Sequence, residues 1–179
     1  MYTFSPNTRQ FLLATTTLLA FFSLKAEADT PGRALSEGDV VAWDISIPPS
    51  GAGLPEGSGS VTEGIEIYAN QCAACHGATG TEGHADRLVG GIGTLDSDAP
   101  VKTLGSFWPH ATKIFDCIRR AMPFYAPGSL TDAEVYAVTA YLLHLNGVLP
   151  KDERLDAPSL RALRLPNAGG FIAAYPSDN

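Results

Sequence analysis

Two cysteines and a histidine form the pattern with the clearest chemistry in this 179-residue chain, in the order Cys72-Ala73-Ala74-Cys75-His76. The C-x-x-C-H spacing is typical of c-type haem attachment. Cys72 and Cys75 are predicted to bond the porphyrin through thioethers, and His76 to ligate the iron from one side. Gly77 has no Cβ, so the backbone after His76 is expected to pass close to a flat ring. The motif therefore predicts a covalent haem site.

Met122 is the predicted ligand on the second face of the iron. Methionine also occurs at position 1, which is expected to leave with an export signal. A thioether favours ferrous iron and raises the reduction potential relative to a second histidine. Filling of the core is the alternative role for Met122. Iron ligated on both faces carries electrons and has no place for a substrate, whereas an open face would bind gases or peroxide.

Three other histidines compete with Met122 as ligands. His110, which begins the helix before Met122, is the preferred reserve; the other two are His84 and His144. Cys117 is an unpaired third cysteine and is expected to be a buried free thiol. A zinc site built from the three cysteines and a histidine is the rival to haem, and an intersubunit disulfide is a further alternative. The absence of a βαβ pattern disfavours a thioredoxin-like pair.

The first 28 residues have the organisation of a secretory signal. Arg9 precedes an apolar stretch at residues 11–24, and Ala26-Glu27-Ala28 forms a small-x-small cleavage site. The apolar stretch is short for a membrane span, although an uncleaved anchor is the alternative. We therefore expect export to a bacterial periplasm, a mature chain that starts at Asp29, and no stable membrane anchor. Haem attachment of this kind takes place outside the cytoplasm, which agrees with the motif.

The charge balance narrows the choice of partners. The formal net charge is −7, and removing residues 1–28 leaves ten basic and eighteen acidic residues, or −8. An acidic surface disfavours nucleic acid and anionic membranes as partners. It favours a protein with a basic docking patch. The mature length fits one small domain, whose core a covalently bound haem would supplement.

The chain divides into four predicted segments. A signal peptide at residues 1–28 is followed by an extended N-terminal segment at 29–59, which is rich in Gly, Pro and Ser. A helical domain at 60–148 precedes an extended C-terminal tail at 149–179. A solvated linker is the default interpretation of the N-terminal segment, and one short helical turn capped within Ser36-Glu37-Gly38-Asp39 is the alternative. In the same segment, Trp43 and Ile45 are expected to pack on a surface.

Capping boxes and apolar periodicity predict three helices in the domain. Ser60 opens the first helix, which leads into the haem motif, and Thr131 opens the last, which ends at Asn146-Gly147. A third helix runs from about residue 109 to 121. Gly64, Tyr68 and Tyr141 are suited to a crossing of the first and last helices. The fold class is therefore all-α.

Longer stretches carry a more specific resemblance. They are Lys102 to Phe124, which includes Trp-Pro and Arg-Arg-Ala-Met-Pro, then Ser129 to Asp132, Tyr141 to Gly147, Ala42 to Ile45 and Gly53 to Gly59. Together they resemble class I-type cytochromes c, and specifically the cytochrome subunits of periplasmic sulfite dehydrogenases and of the sulfur dehydrogenase in the thiosulfate-oxidising system. The resemblance implies a small cytochrome c fold that encloses one haem held by Cys72 and Cys75, with His76 and Met122 as axial ligands.

The same resemblance implies a partner and an electron path. In that family a molybdenum subunit oxidises the sulfur substrate, and the cytochrome subunit passes single electrons to a downstream acceptor. A free-standing electron carrier and a gas- or peroxide-binding haem protein are the alternatives. One of Arg119 and Arg120 could pair with a haem propionate and the other with a partner carboxylate. Trp108-Pro109 is expected to pack on haem or to start a helix.

Overall fold

A computed structural model describes residues 32–172, 174 and 175, apart from the side chain of Ala42. The chain divides into two compact units, Met1–Trp43 and Asp44–Asn179. The signal peptide predicted at residues 1–28 lies outside the described residues. Among the residues that are described, no helix is both long enough and apolar enough to cross a membrane.

The described part of the first unit contains one short helix, α1 (Glu37–Trp43). The Asp39 N–H donates to Ser36 Oγ over 3.2 Å, and the Ser36 N–H donates to the Asp39 carboxylate over 2.9 Å. The Arg33 guanidinium donates to both oxygens of the same carboxylate. A short capped helix is therefore present where a solvated linker was the default interpretation. Trp43, expected to pack on a surface, is 86% exposed.

The second unit is built mainly from helices. They are α2 (Val61–Gln71), α3 (Ala73–His76), α4 (Ala111–Ala121), α5 (Asp132–Leu145) and α6 (Ala157–Ala162). Two short strands, β1 (Ser58–Ser60) and β2 (Arg154–Asp156), pair antiparallel with Gly59 opposite Leu155. The all-α prediction is thus right for the dominant elements and missed this sheet. Three-residue strands are too short to show alternation in a sequence.

Capping fixes where helices α2 and α5 begin. The Glu63 N–H donates to Ser60 Oγ, and the Glu63 carboxylate accepts from the Ser60 N–H; Thr131 and Glu134 repeat this arrangement at α5. Each box satisfies backbone donors that the first helical turn leaves unpaired. Helix α5 ends at Asn146, and Gly147 follows with a φ of 71°. The predicted ends of both helices are confirmed.

Helices α2 and α5 cross closely at Gly64. A Cβ at this glycine would lie 2.1 Å from the Ala137 carbonyl oxygen and 2.8 Å from Tyr141 Cβ. The rings of Tyr68 and Tyr141 meet edge to face, with centroids 5.3 Å apart. The predicted crossing is confirmed, and it directs the C-terminal end of α2 toward the haem motif.

Both flanking segments of the second unit contribute to the core. Ile47 is buried, whereas Ile45 is 52% exposed, because the Ile47 N–H donates to the buried Asp116 carboxylate on α4. The segment after residue 148, expected to be extended, instead contains β2 and α6. It buries three leucines in the core cluster: Leu155, Leu160 and Leu165. Burial of these side chains offsets the entropy lost when the segment becomes ordered.

Candidate haem site

The four predicted haem-binding residues line one cavity. Its volume is about 640 Å³, and Cys72, Cys75, His76 and Met122 all contribute to its wall. Cofactor and ligand cavities typically span about 300–1,000 Å³. Much of the remaining wall is apolar and comes from four parts of the chain; it includes Leu88, Leu104, Trp108, Ile114, Ile118, Val138 and Leu142. The fold therefore gathers soft sulfur groups and the His76 imidazole around a largely hydrophobic space.

A tight turn positions the two motif cysteines. Helix α3 starts after Cys72, whose carbonyl oxygen accepts from the N–H groups of Cys75 and His76 over 3.1 and 3.0 Å. Residues three apart on a helical turn lie on one face, so both thiols can face the same cavity. Burial, with a contribution from Cys75, raises the pKa of the Cys72 thiol to about 11. A redox-active C-x-x-C pair has the opposite property, a lowered thiol pKa.

His76 is oriented by a backbone carbonyl. Its Nδ1 lies 2.8 Å from the Asp86 carbonyl oxygen. Because a carbonyl only accepts, Nδ1 carries the proton in this pair, and the Nε2 lone pair is available to a metal. The half-buried ring is therefore held in the tautomer that an iron-ligating histidine needs, with an acceptor that increases its basicity.

Met122 occupies the end of α4. Its N–H donates to the Ile118 carbonyl over 3.1 Å as the last bond of the helix, and its own backbone is extended. The half-buried side chain lines the cavity, and Pro123, Phe124 and Tyr125 follow it along the wall. An imidazole and a thioether on one cavity form a donor set that suits haem iron. The residues present thus fit the predicted cofactor.

The structure separates the competing histidines. His84 is exposed and lines the cavity. His110, the reserve ligand preferred from the sequence, is instead the N-cap of α4, where its backbone forms a bridge to Arg164 outside the cavity lining. His144 Nδ1 lies 3.0 Å from the Leu149 carbonyl oxygen, again away from the cavity. The preference for His110 over His84 is therefore wrong in geometric terms.

Cys117 faces the same cavity as the motif. The thiol is half-buried, and burial raises its pKa with a contribution from the Asp116 carboxylate. It lines the cavity together with Ile114 and Ile118 of α4. Among residues 32–172, 174 and 175, no group of three or more His, Cys, Asp or Glu side chains is arranged to hold a metal ion. The rival zinc site therefore has no structural support.

The arginine prediction needs a correction. Arg120 donates to both oxygens of the buried Asp116 carboxylate at 2.7 Å, and Arg119 Nε donates to Asp132 over 2.8 Å. Both guanidiniums are thus used within the protein, and neither lines the cavity. The positive groups that do line it are Arg87 and Lys102. The order of charged residues in the sequence could not show which of these four basic side chains line the cavity, because the carboxylates that lie near each one in space decide its pairing.

The contact between the glycine-rich loop and the backbone of the haem motif was not predicted from the sequence. The Ala85 N–H donates to the Cys75 carbonyl over 2.9 Å. A Cβ at Gly83 would lie 2.0 Å from the same Cys75 oxygen, and one at Gly77 would lie 2.7 Å from Glu82 Cγ. Gly77 is therefore needed because the loop approaches it closely and because its φ is 79°. The sequence instead predicted a close approach of the backbone to the haem ring. The glycine density was the available signal.

The domain is mainly helical, and two cysteines, a histidine and a methionine line its cavity. These features are typical of small haem proteins with a C-x-x-C-H motif. The family model described as cytochrome c oxidase, cbb3-type, subunit III matches residues 59–142. A chain of the sulfane dehydrogenase SoxCD from Paracoccus pantotrophus superposes with a TM-score of 0.73 at 39% identity, over 82% of this chain and 71% of that one. The chain belongs to the cytochrome c family.

Two curated relatives are named thiosulfate dehydrogenase. The protein from Stutzerimonas stutzeri (strain A1501) is 32% identical over 114 residues, which is 62% of this chain and 35% of that protein. The protein from Psychrobacter arcticus (strain DSM 17307 / VKM B-2377 / 273-4) is 29% identical over 123 residues, or 56% of this chain and 37% of that protein. The chain thus spans about a third of the length of these relatives. Family membership implies a haem c cofactor and an electron-transfer role.

Proposed function

We propose that this chain is an exported monohaem cytochrome that carries single electrons. Cys72 and Cys75 bind one haem covalently, and His76 and Met122 are its axial ligands. The observation that carries the proposal is the shared cavity, with His76 held so that Nε2 is available. One haem is proposed because the sequence contains one C-x-x-C-H motif. The haem supplies reversible one-electron chemistry when bound.

The protein's own groups set the conditions for that electron transfer. Much of the cavity wall is apolar, and surroundings less polar than water strengthen electrostatic interactions. The Asp86 carbonyl keeps His76 basic, and the Met122 thioether favours the reduced state. Arg87 and Lys102 are the groups we assign to the haem propionates, because they are the cavity-lining Arg and Lys side chains.

We propose that a molybdenum-containing sulfur dehydrogenase donates the electrons and that a separate carrier accepts them. The similarity to a chain of a sulfane dehydrogenase and to two proteins named thiosulfate dehydrogenase supports a sulfur compound as the electron source. The formal charge of −7 favours a partner with a basic docking surface. Ligation on both faces of the iron leaves no substrate site, so the chain is not catalytic alone.

The proposed location is the periplasm, after cleavage before Asp29. The remaining proposed segments are residues 29–59, a haem domain at 60–148 and a C-terminal segment at 149–179. Fractionation and N-terminal sequencing of the native protein test the location. A protein recovered from the periplasm that starts at Asp29 is the expected result. Recovery from the cytoplasm, or retention of residues 1–28, would contradict the proposal.

The first test of function uses gently purified native protein. It is assayed for molybdenum, and sulfite is added while the haem α-band is observed. Stoichiometric molybdenum and rapid reduction are expected for a dehydrogenase complex. A red protein without molybdenum that sulfite leaves oxidised would indicate a separate carrier and contradict the proposed partner.

Haem attachment is tested by cysteine variants with a matched control. Cys72→Ala and Cys75→Ala each remove one thioether, whereas Cys117→Ala removes a third half-buried thiol from the same cavity. Haem staining of denatured protein, with iron quantified per chain, reports covalent attachment. The Cys72→Ala/Cys75→Ala double variant is expected to lose haem, and Cys117→Ala to retain one. Loss of haem in Cys117→Ala would contradict the assignment.

We also propose that the C-terminal segment docks on the dehydrogenase, and a test of this docking needs a shorter truncation than the whole segment. Deleting residues 150–179 would remove β2, α6 and buried leucines, so weaker association could reflect unfolding. Deleting residues 172–179 removes a stretch whose described side chains are exposed, including Ile172 and Tyr175, and it retains Phe171, whose ring packs edge to face on Phe107. If the tail docks on the dehydrogenase, this shorter deletion should lower co-purification while leaving the melting temperature unchanged. Full co-purification would contradict tail docking.

A further inference from the structure

Asn146 is a buried polar residue that links two distant parts of the chain. It follows α5, and it is 5% exposed. The Gly90 N–H donates to its Oδ1 over 3.1 Å, and its Nδ2 donates to the Leu88 carbonyl over 3.2 Å. Nδ2 also donates to the Leu142 carbonyl over 2.9 Å. Because an N–H only donates and a carbonyl only accepts, these partners fix which end of the amide is which.

The loop held by Asn146 is the loop that contacts the haem motif. Leu88 and Gly90 come two and four residues after Asp86, whose carbonyl accepts from His76 Nδ1 over 2.8 Å. Nearer the motif, the Ala85 N–H bonds the Cys75 carbonyl. The far end of the loop, at Leu88 and Gly90, is bonded to the Asn146 side chain. Among residues 32–172, 174 and 175, this is the only side-chain amide that is hydrogen-bonded to the loop.

The packing around Asn146 leaves little room for rearrangement. A Cβ on Gly105 would lie 2.4 Å from Asn146 Oδ1 and 2.8 Å from Asn146 Cβ, so the backbone there lies directly against the side chain. Thr103 Oγ1 donates to the Gly90 carbonyl over 2.6 Å, so both the N–H and the carbonyl of Gly90 are hydrogen-bonded. A satisfied and closely packed polar network of this kind specifies one arrangement of its members.

We infer that Asn146 is a positioning residue for His76: by holding Leu88 and Gly90, it fixes the Asp86 carbonyl that orients the imidazole. This inference rests on the proposed role of His76 as a haem ligand. A firm Nδ1–H···O bond increases the basicity of the ligating ring, and this favours the oxidised iron. Loosening the loop should weaken that bond. The loss of Asn146 should therefore shift the midpoint potential to more positive values.

The test compares Asn146→Ala with Thr139→Val in the reduced holoprotein. Thr139 is also buried on α5, and its Oγ1 donates to the Val135 carbonyl within the helix over 2.7 Å, so the control loses a buried hydrogen bond without touching the loop. Asn146→Ala removes two hydrogen bonds to the loop and should speed exchange of the His76 Nδ1–H and Gly90 N–H by about tenfold. Thr139→Val should change both by less than about twofold.

The midpoint potential gives a readout that a purely structural role would not move. A positive shift in Asn146→Ala, with no shift in Thr139→Val, is the expected pair of results. Faster Gly90 exchange with unchanged His76 exchange and unchanged potential would overturn the inference alone. It would mean that Asn146 holds a loop that does not control the ring.

Two further measurements keep the inference testable if Asn146→Ala does not fold. Asn146→Ser retains a hydroxyl that can bond the Leu142 carbonyl but cannot reach the loop, and the same shifts are expected. In the wild-type protein, the Gly90 N–H and the His76 Nδ1–H should open with the same free energy, and independent opening would overturn the inference. His76 ring protons without a haem ring-current shift would overturn the proposed function, and this inference with it.

Discussion

The two parts of the cavity wall that carry the proposed iron ligands are built on different principles. The motif wall, residues 72–90, contains Cys72, Cys75 and His76; the methionine wall, residues 111–125, contains Met122. Of residues 72–90, all of which the structure describes, only Gly80 is buried. In the methionine wall, α4 buries several apolar side chains: Ala111, Ile114, Phe115 and Ile118. One wall depends on backbone hydrogen bonds and glycines, and the other on a packed helix.

The motif wall holds its ligand tightly through many directional contacts. His76 is bonded to the Asp86 carbonyl, and the Tyr68 hydroxyl donates to the Gly77 carbonyl over 2.9 Å. The Leu88 N–H donates to the Gly80 carbonyl over 2.8 Å. Directional bonds with glycine-dependent approaches tolerate little change of shape, so this wall fixes the position of the imidazole.

The methionine wall is firm along its helix and open at its end. Asp116 is buried and bonded to Lys113, Arg120 and the Ile47 N–H. Beyond Met122, Phe124 is 83% exposed and Tyr125 is 68% exposed. The difference between the walls indicates that Met122 is the more readily displaced of the two proposed ligands, because the exposed residues that follow it have few contacts to hold them.

The largest expected effect comes from Gly83→Ala on the motif wall. Its Cβ would lie 2.0 Å from the Cys75 carbonyl oxygen, and both groups belong to backbone that cannot easily move. We expect a loss of about 3 kcal/mol in the free energy of unfolding and poor haem retention. Urea denaturation of the holoprotein measures the first quantity, and haem per chain the second.

Gly128→Ala is the control for this variant. Gly128 has a φ of 73°, and a Cβ added to it would meet no other group within 4 Å, so only backbone strain of about 1 kcal/mol is expected. Equal losses in the two variants would show that the close approach of Gly83 to the Cys75 carbonyl costs no more than backbone strain.

Met122→Ala should have the next largest effect. It removes a half-buried side chain and the proposed ligand, and we expect a loss of about 2 kcal/mol together with the disappearance of the Met–iron charge-transfer band. Added imidazole should then bind the oxidised protein without competition. Cys117→Ala, which removes a half-buried thiol from the same wall, should retain the band. A band that persists in Met122→Ala would exclude Met122 as the ligand.

Asp116→Asn tests the ionic anchor of the methionine wall through its pH dependence. Burial raises the pKa of the Asp116 carboxyl, but hydrogen bonds from Arg120, Lys113 and the Ile47 N–H outweigh burial and hold the pKa well below its usual value. A lowered pKa contributes stability above the unfolded pKa of about 4, and this stability is lost as the pH falls below it. The variant should be less stable by about 1.5 kcal/mol at pH 7.

Urea denaturation at a series of pH values measures this difference, which should shrink as the pH falls below about 4. Asp132→Asn, which breaks the half-exposed pair with Arg119, is the control and should cost less than about 0.5 kcal/mol. A pH-independent difference for Asp116→Asn would show that its charge is not what stabilises the wall.

The smallest expected effect is that of Tyr125→Phe. The Tyr125 hydroxyl donates to the Gln71 side-chain oxygen and so joins the open end of the methionine wall to the residue before Cys72. Because the bond is exposed, its loss should raise the rate of Met122 displacement by imidazole only about twofold. Stopped-flow mixing of oxidised protein with imidazole measures this rate. Tyr175→Phe, at another exposed tyrosine, should leave this rate unchanged. Equal rates in the wild type and both variants would show that the Tyr125–Gln71 hydrogen bond does not help to retain Met122.

Sequence reasoning was most successful where the physical signal is local. The capping boxes at Ser60 and Thr131 and the glycine at the end of α5 gave the ends of two helices, because each involves residues within four positions of one another. The close approach at Gly64 was predictable for a related reason, since a glycine inside a helical apolar pattern indicates a packing contact. The family was also predictable from the sequence, because similarity to a family is read directly from the order of residues.

Predictions that depended on charge or on distant partners were less successful. Arg119 and Arg120 are used by Asp132 and Asp116, and His110 caps a helix instead of facing the cavity. The burial of Leu155, Leu160 and Leu165 was also missed, since isolated leucines between charged residues show no periodicity. In each case the outcome depends on what the chain brings near the residue.

The sequence by itself determined the residue types that a c-type haem site needs and the helices that carry them, because spacing and capping act over a few residues. Tertiary structure alone decided that Cys72, Cys75, His76 and Met122 line one cavity, and that Arg87 and Lys102 line it in place of Arg119 and Arg120. It also decided that Asn146, seventy positions after His76, holds the loop that orients the imidazole. Hydrogen bonds between distant backbone groups depend on how the chain folds back on itself, and no local pattern encodes them.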